Sequence, residues 1–269
     1  MKKQLLLSFS GGETSAHMTE RCLNNPGMQA EYDMRVAFAN TGCEDERTLT
    51  FVDKCDKCYG FGVFWVEAVV HPGRIGCTHR IVDFETASRK GEPFEAVIKK
   101  YGIPNRQYTH CTRELKANPI RSLCRSWGWT KNYTAVGIRL DEAKRRSVKA
   151  ARERIIYPLL DVFPTTDDQV RCWAARQPVR LGLKGYEGNC TFCYKKSFAN
   201  HAKLTREQPE AYDFPRRMEL EHGVYPDGRR RVFFRLNKST DELFALNNDE
   251  IISDDAVSEC GGSCEPFGS

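Results

Sequence analysis

The chain has 269 residues, of which 40% are hydrophobic, and its 41 basic and 36 acidic residues give a formal net charge of +5. This length can bury a sizeable core, so we expect one large domain or one domain with an appendage. No run of about 18 apolar residues occurs, and the apolar run near the N-terminus is too short for a signal peptide, so we expect no membrane contact and a cytoplasmic location. In that compartment the twelve cysteines would mostly stay reduced.

Strand-like and helix-like segments alternate over the first 160 residues. The sequence predicts strands at residues 4–8, 34–39, 62–70 and 132–136. It predicts helices at residues 15–24, at about 44–57 and at 93–101, and a helix that Thr112 caps, running toward Trp127 with an interruption near Pro119. The rest of residues 71–110 is predicted to be irregular. Strands separated by helices favour an α/β fold with a mostly parallel, doubly wound sheet, which is covered on both faces. After Pro158 the texture changes to a cysteine-rich C-terminal region.

The segment that follows the first strand, Ser8–Ser15, is rich in serine and glycine. A strand that enters such a turn and then a helix aims backbone N–H groups and the positive helix end at one point, which suits phosphate or sulfate. No lysine follows the glycines, so this is not the G-x-x-x-x-G-K-S/T loop. Taken alone, the segment is also compatible with an ordinary glycine turn.

Five segments in chain order resemble motifs of phosphoadenosine-phosphosulfate (PAPS) reductase-like proteins. These proteins belong to the adenine nucleotide alpha-hydrolase superfamily, together with the ATP pyrophosphatases that carry an S-G-G-x-D-S pyrophosphate loop. The matching segments are Ser10–Ser15, Asn40–Glu44 (N-T-G-x-E), Cys111–Lys116 (C-T-x-x-L-K), Gly137–Glu142 (G-x-R-x-x-E) and Tyr157–Asp161 (Y-P-L-x-D). The resemblance covers roughly residues 5–162 and is greatest to the proteins of this kind that phages and prophages often encode. Thr14 stands where the ATP pyrophosphatases usually carry Asp.

The resemblance implies where a nucleotide would bind. The phosphates of ATP, adenylyl-sulfate or PAPS would lie against a loop formed by Ser10, Gly11, Gly12, Thr14 and Ser15. The adenosine would lie near Asn40, Thr41 and Gly42. Gly137 and Arg139 would complete the site, because a guanidinium at a strand end can reach a phosphate with two hydrogen bonds. Asp141 and Glu142 would hold arginines or bind Mg²⁺.

The close cysteine pairs suggest metal or redox chemistry. The C-x-x-C of Cys190 and Cys193 lets two thiolates hold one metal ion or one edge of a cluster. Cluster-bearing relatives in the superfamily favour a [4Fe–4S] cluster, and our preferred ligand set is Cys111, Cys190, Cys193 and Cys264, with Cys260 as an equal alternative to Cys264. Structural zinc and a redox dithiol remain open. We accordingly divide the chain into a nucleotide-binding α/β domain at residues 1–162 and a cysteine-rich, metal-binding region at residues 163–269.

The last cysteines leave the reaction open. Glu259-Cys260-Gly261 resembles the E-C-G segment of sulfonucleotide reductases, in which the cysteine is the nucleophile, but those enzymes continue to a histidine that this chain lacks. One hypothesis is reduction of a sulfonucleotide to sulfite through Cys260, with a thiol electron donor such as thioredoxin. A second is an ATP pyrophosphatase-type enzyme that adenylates a nucleic acid or small-molecule acceptor, which suits the basic runs at residues 139–154 and 229–231. A third is a nucleotide sensor without catalysis.

Overall fold

The computed structural model describes residues 1–225 and 227–246. The strands are β1 (Lys3–Ser8), β2 (Tyr32–Asn40), β3 (Val63–Val69), β4 (Thr78–Val82), β5 (Tyr133–Ala135) and β6 (Ile155–Ile156). The α-helices are α1 (Glu13–Leu23), α2 (Pro26–Glu31), α3 (Glu46–Tyr59), α4 (Glu92–Tyr101), α5 (Asn118–Ser126), α6 (Ala150–Glu153), α7 (Pro158–Asp161), α8 (Asp167–Ala175), α9 (Phe198–Glu207), α10 (Asp213–His222) and α11 (Thr240–Phe244). A π-helical turn, Thr112–Ala117, leads directly into α5.

Within these residues the six strands form one sheet in the order β4-β3-β2-β1-β5-β6. Only β4 runs antiparallel to its neighbour. The central strand β1 is buried on both faces: Leu5 and Leu7 pack in one hydrophobic cluster and Leu6 packs in another. An apolar run of this kind is typical of a strand in a parallel sheet that helices cover on both faces. The predicted α/β fold with a mostly parallel, covered sheet is confirmed.

Parallel pairing places the carboxyl ends of β1, β2 and β5 on the same side of the sheet. Leu7 in β1 lies opposite both Val36 in β2 and Ala135 in β5. The segments that leave these strands therefore begin side by side. Ligands of open α/β sheets bind at this edge, so the register alone brings the predicted nucleotide segments together.

The sequence did not predict the strands β4 and β6 or the π-helical turn. The prediction that residues 71–110 contain only one helix and irregular chain was wrong. Besides α4 they contain β4, which is the antiparallel edge strand of the sheet. Its sequence is half polar, and an edge strand with exposed side chains lacks the apolar run that marks a buried strand. Thr112 does not cap a helix that Pro119 interrupts. It lies inside the π-helical turn, and Pro119 sits in the first turn of α5, where the missing N–H costs nothing.

The part of the chain after residue 162 packs against the first part. Phe192 stacks on Phe94 of α4, with ring centroids 5.9 Å apart, and both belong to one buried cluster with Phe233. The division at residue 162 stays a prediction. The longest helix among the described residues, α3, has 14 residues, and none there has the length and apolar character that a bilayer crossing needs. The ten cysteines in the described residues form no disulfide.

Candidate functional site

The loop between β1 and α1 is held together by the hydroxyl of Ser15. This oxygen accepts hydrogen bonds from the Ser10 N–H at 3.2 Å and the Ser10 hydroxyl at 3.0 Å, and it donates to the Gly12 carbonyl at 2.9 Å. Gly12 caps α1 with its backbone, and no side chain caps the first turn. The N–H groups at the start of α1 are therefore available to an anion, which also gains from the positive end of the helix.

Gly11 is required by the backbone and by the space around it. Its φ is +82°, and a Cβ there would lie 2.6 Å from Cγ2 of Thr48 in α3. At Gly12 the situation differs, because a Cβ would meet nothing closer than 3.8 Å. The loop is tightly packed at Gly11 and open at Gly12.

Arg139 reaches the loop from the segment that follows β5. Its Nη1 donates to the Thr14 hydroxyl oxygen at 3.1 Å, and its Nη2 donates to Asp141 Oδ2 at 2.8 Å. Glu142 and Asp167 are also within salt-bridge distance of the guanidinium. These carboxylates fix the Arg139 side chain, which is 17% exposed, beside the start of α1.

Gly137 lies directly against the Ser10–Ser15 loop. A Cβ at this position would be in ordinary van der Waals contact, 3.4 Å from the Cα of Ser15. Of the two roles expected for Asp141 and Glu142, the structure shows the first: Asp141 pairs with Arg139, and Glu142 pairs with Arg139 and Arg145.

The turn after β2 is shaped by its own side chains. Asn40 donates from Nδ2 to Glu67 Oε1 at 2.6 Å and to the Ser88 carbonyl at 2.9 Å, and its Oδ1 accepts from the Gly42 N–H. Thr41 donates from both its N–H and its hydroxyl to Glu44 Oε2 at 2.8 Å. Because the Asn40 amide already makes these three bonds, it fixes the turn. The predicted contact of Asn40, Thr41 and Gly42 with adenosine stays a prediction.

Glu67 was not predicted as part of the site. It is fully buried in β3 and accepts hydrogen bonds from Asn40, from Ser88 and from Arg80, whose Nη2 lies 2.6 Å from Glu67 Oε2. A buried carboxylate needs such partners. A single acid within the apolar strand Val63–Val69 was the signal that it must have them.

Three predicted metal ligands, Cys111, Cys190 and Cys193, line one small cavity of about 30 Å³. The other lining residues are Thr41, Phe94, Thr112, Leu115, Lys116, Phe192, Tyr194 and Phe233. Burial raises the pKa of the Cys190 thiol well above its ordinary value, and the neighbouring Cys193 adds to this effect. Two lysines, Lys196 and Lys116, act in the opposite direction.

No metal centre is formed by the described residues: within 1–225 and 227–246 no three His, Cys, Asp or Glu side chains have an arrangement that would hold an ion. The fourth predicted ligand, Cys264, and the predicted nucleophile, Cys260, lie outside the described residues.

The segment that carries Cys190 and Cys193 contacts the Ser10–Ser15 loop. Glu44 and Cys190 form an antiparallel bridge, and the Asp45 N–H donates to the Asn189 carbonyl at 2.9 Å. The side chain of Asn189 donates from Nδ2 to the Ser10 carbonyl at 2.6 Å. Asn189 was not predicted, and its position before Cys190 was the only signal.

Most arginines of the two basic runs are engaged within the protein. Arg146 pairs with Asp161 at 2.7 Å, and Arg154 donates to the Lys131 carbonyl at 2.8 Å. In the second run Arg229 pairs with Asp227, and Arg231 donates to the Tyr225 hydroxyl. A role in binding nucleic acid stays a prediction.

Comparisons with known proteins give relatives without an assigned activity. No protein-family model matches the sequence. The chain is 28% identical to an uncharacterized nin region protein of Escherichia phage lambda over 98% of this chain and 95% of that protein. It is 25% and 27% identical to two uncharacterized proteins of Methanocaldococcus jannaschii, covering 79% and 77% of this chain but only 41% and 45% of theirs. Among solved structures, the PAPS reductase from Candida auris in its phosphate complex aligns over 65% of this chain and 73% of that chain, with 17% identity and a TM-score of 0.38.

Proposed function

We propose that this chain is a PAPS reductase-like enzyme that binds an adenine nucleotide with its phosphates against the Ser10–Ser15 loop. The observation that carries the proposal is the approach of Arg139 to Thr14, at 3.1 Å, beside the N-terminus of α1. A guanidinium, two hydroxyl-bearing residues and uncapped N–H groups meet there, and this donor set suits a phosphate or sulfophosphate. The resemblance of the five motifs to those of the superfamily indicates that the ligand is an adenine nucleotide.

The reaction we propose is reduction of a sulfonucleotide to sulfite. The Cys260 thiolate would attack the sulfur of adenylyl-sulfate or PAPS, and the bond from that sulfur to the bridging phosphate oxygen would break. The products would be a cysteine thiosulfonate and the nucleotide monophosphate or bisphosphate. A thiol donor of the thioredoxin kind would then form a disulfide with Cys260 and release sulfite. These steps belong to the cytoplasm, where such donors keep thiols reduced.

We further propose an iron–sulfur cluster at the cysteine cavity. Its donors would be Cys111, Cys190 and Cys193, with Cys264 as the fourth. The three described thiols fit in kind, because they line one cavity. Burial raises the pKa of the Cys190 thiol, so binding of the cluster would have to displace its proton. A bound cluster would supply one-electron redox capacity beside the nucleotide. Iron and zinc analysis of anaerobically purified protein separates this proposal from structural zinc.

Mass spectrometry tests the reaction. Protein incubated with PAPS or adenylyl-sulfate should gain a sulfonate on Cys260, and Cys260→Ser should remove the adduct and stop sulfite release. The matched control is Cys172→Ser, which removes an exposed thiol of α8 and should change neither result.

The alternative is an adenylating enzyme of the ATP pyrophosphatase type. It predicts no adduct on Cys260 and, instead, release of pyrophosphate from ATP when nucleic acid or another acceptor is added. Binding of the nucleotide with neither product would make the chain a sensor. Each of these outcomes contradicts the proposed reduction but leaves the proposed nucleotide site standing.

A further inference from the structure

Asn189 joins the phosphate loop to the cysteine segment. Its Nδ2 donates to the Ser10 carbonyl at 2.6 Å, and it lies 4.0 Å from the place that a Cβ on Gly12 would occupy. Its own carbonyl accepts from the Asp45 N–H at 2.9 Å. The next residue is Cys190, so the residue that contacts the loop directly precedes a thiol that lines the cavity.

The segment that follows Asn189 is internally braced. Lys196 is 8% exposed, and its ammonium donates to the Cys190 carbonyl at 2.6 Å and to the Thr191 carbonyl at 3.1 Å. Backbone bonds from the Cys193 N–H to the Cys190 carbonyl and from the Lys196 N–H to the Cys193 carbonyl close the turn. A braced turn moves as a unit, so a displacement at Asn189 reaches both cysteines.

Upstream of Asn189 the segment is anchored by Glu187. This buried carboxylate lies 3.1 Å from Arg47 Nη2 of α3 and accepts from Gln208 Nε2 at 2.9 Å. Gly188, with φ +70°, separates this anchor from Asn189. Glycine is favoured at this φ.

The loop partner of Asn189 is one that phosphate would rearrange. Ser10 donates through both its N–H and its hydroxyl to the Ser15 hydroxyl. A phosphate oxygen that accepts from Ser10 or Ser15 would replace some of these bonds and change the backbone torsion angles at Ser10, whose carbonyl accepts from Asn189. A ligand that interacts differently with two arrangements shifts the balance between them.

We propose that Asn189 is a positioning residue that couples nucleotide binding at the Ser10–Ser15 loop to the conformation of the Cys190–Lys196 turn. The coupling rests on the proposed nucleotide function and deepens it. Nucleotide bound at the loop tightens the turn that presents Cys190 and Cys193 to the cavity. Because coupling between two sites is reciprocal, whatever occupies the cysteines changes nucleotide affinity by the same factor.

Hydrogen–deuterium exchange tests the coupling whether or not the cysteines hold a metal. The full chain, as purified, is exchanged with and without ATP, adenylyl-sulfate or PAPS, and peptides covering residues 8–15 and 188–196 are compared. In the parent, the nucleotide should slow exchange in both peptides, in the second by at least about five-fold. In Asn189→Ala, it should slow exchange only in residues 8–15.

Two further variants control for packing and for loss of an amide. Asn189→Leu keeps the volume of the side chain without its donor and should behave like Asn189→Ala. Asn132→Ala removes an amide that donates to the Tyr133 carbonyl at the start of β5, at the opposite end of that strand from Arg139, and should behave like the parent.

The outcomes that overturn the proposal differ from those that overturn the nucleotide site. Slowed exchange at residues 188–196 that persists in Asn189→Ala and Asn189→Leu would mean direct shielding by the nucleotide. Loss of nucleotide binding in both variants would make Asn189 a direct ligand. Either result overturns the coupling and leaves the nucleotide site intact. A parent that shows no protection in either peptide with any of the three nucleotides overturns the nucleotide site, and the coupling falls with it.

Discussion

The Ser10–Ser15 loop and the cavity lined by Cys111, Cys190 and Cys193 lie side by side but are built in different ways. The loop is one short stretch of chain held by polar contacts, three of which involve the hydroxyl of Ser15. The cavity is assembled from segments between residues 41 and 233 and is mainly apolar. The aromatic ring of Phe192, inside the C-x-x-C, lies within 6 Å of the rings of Phe94, Phe214 and Phe233. Hydrogen bonds between residues close in the chain therefore shape the loop, whereas packing of distant side chains shapes the cavity.

The largest effect is expected where packing holds the cavity together. Phe192→Ala removes a ring that is 3% exposed and should lower the free energy of unfolding by about 3–5 kcal/mol. Phe192→Leu keeps most of the volume and should cost markedly less. Chemical denaturation measures both. Equal, small losses for the two variants would show that the aromatic cluster does not support the cysteine turn.

The Ser10–Ser15 loop should instead be destabilised most by a substitution that its backbone cannot accommodate. Gly11→Ala forces a Cβ onto Thr48 at a φ of +82°, and strain plus overpacking should cost about 2–4 kcal/mol of unfolding free energy. Gly62→Ala is the matched control, because Gly62 has φ +63° and nothing within 4 Å of its Cβ position. It should lose only the conformational part, about 1 kcal/mol. Similar losses at the two glycines would remove the argument from close packing.

A buried histidine behind the loop makes this side of the molecule sensitive to acid. His17 in α1 packs on Trp173, with ring centroids 4.8 Å apart, and burial lowers its pKa from 6.5 to about 4. As the pH falls, His17 is protonated in the unfolded chain before it is protonated in the folded protein. The stability that depends on neutral His17 is therefore complete above pH 6.5 and is lost as the pH falls toward 4. This loss amounts to at most about 3 kcal/mol.

His17→Phe keeps a ring against Trp173 without a titrating group. Its unfolding free energy should fall less than that of the parent between pH 6.5 and 4, as denaturation at a series of pH values would show. Parallel curves for the two proteins would mean that His17 is not the acid-sensitive group.

The smallest effect should come from single arginines. Arg139→Met should weaken nucleotide binding about 10- to 100-fold, the value of one charge-assisted contact. Arg146→Met removes an exposed pair with Asp161 and should leave nucleotide affinity unchanged. Calorimetry on both variants separates a local contact from the general positive charge of the run. Equal weakening would favour the general charge.

The difference between the regions also explains what could be predicted. The Ser10–Ser15 loop is contiguous, so its residue types and its position between a strand and a helix were visible in the sequence. The α/β fold followed from alternating apolar segments. By contrast, β4 was missed because an edge strand carries polar residues such as His79 and Arg80, and no local pattern marks it.

Contacts between distant segments were the least predictable. Asn189 bonds to Ser10 across 179 positions of the chain, and Glu67 bonds to Asn40 across 27. No periodic pattern in the sequence marks either contact. The cysteines were found because thiols at a C-x-x-C spacing are conspicuous, but the cavity that unites Cys111 with Cys190 and Cys193 depends on how the segments pack. The unusual residues within regular elements, such as the acid in β3, gave the best hints.

Titration calorimetry with ATP, adenylyl-sulfate and PAPS tests the nucleotide site most directly. At least one of the three should bind to the parent, and Gly12→Asp should weaken that binding at least about 100-fold, because a carboxylate would face the phosphates at close range. The control is Gly73→Asp, which adds the same charge where nothing lies within 4 Å and should bind like the parent. Equal binding by the parent and Gly12→Asp, or no binding of any of the three nucleotides by the parent, would contradict the assignment of the loop as the phosphate site.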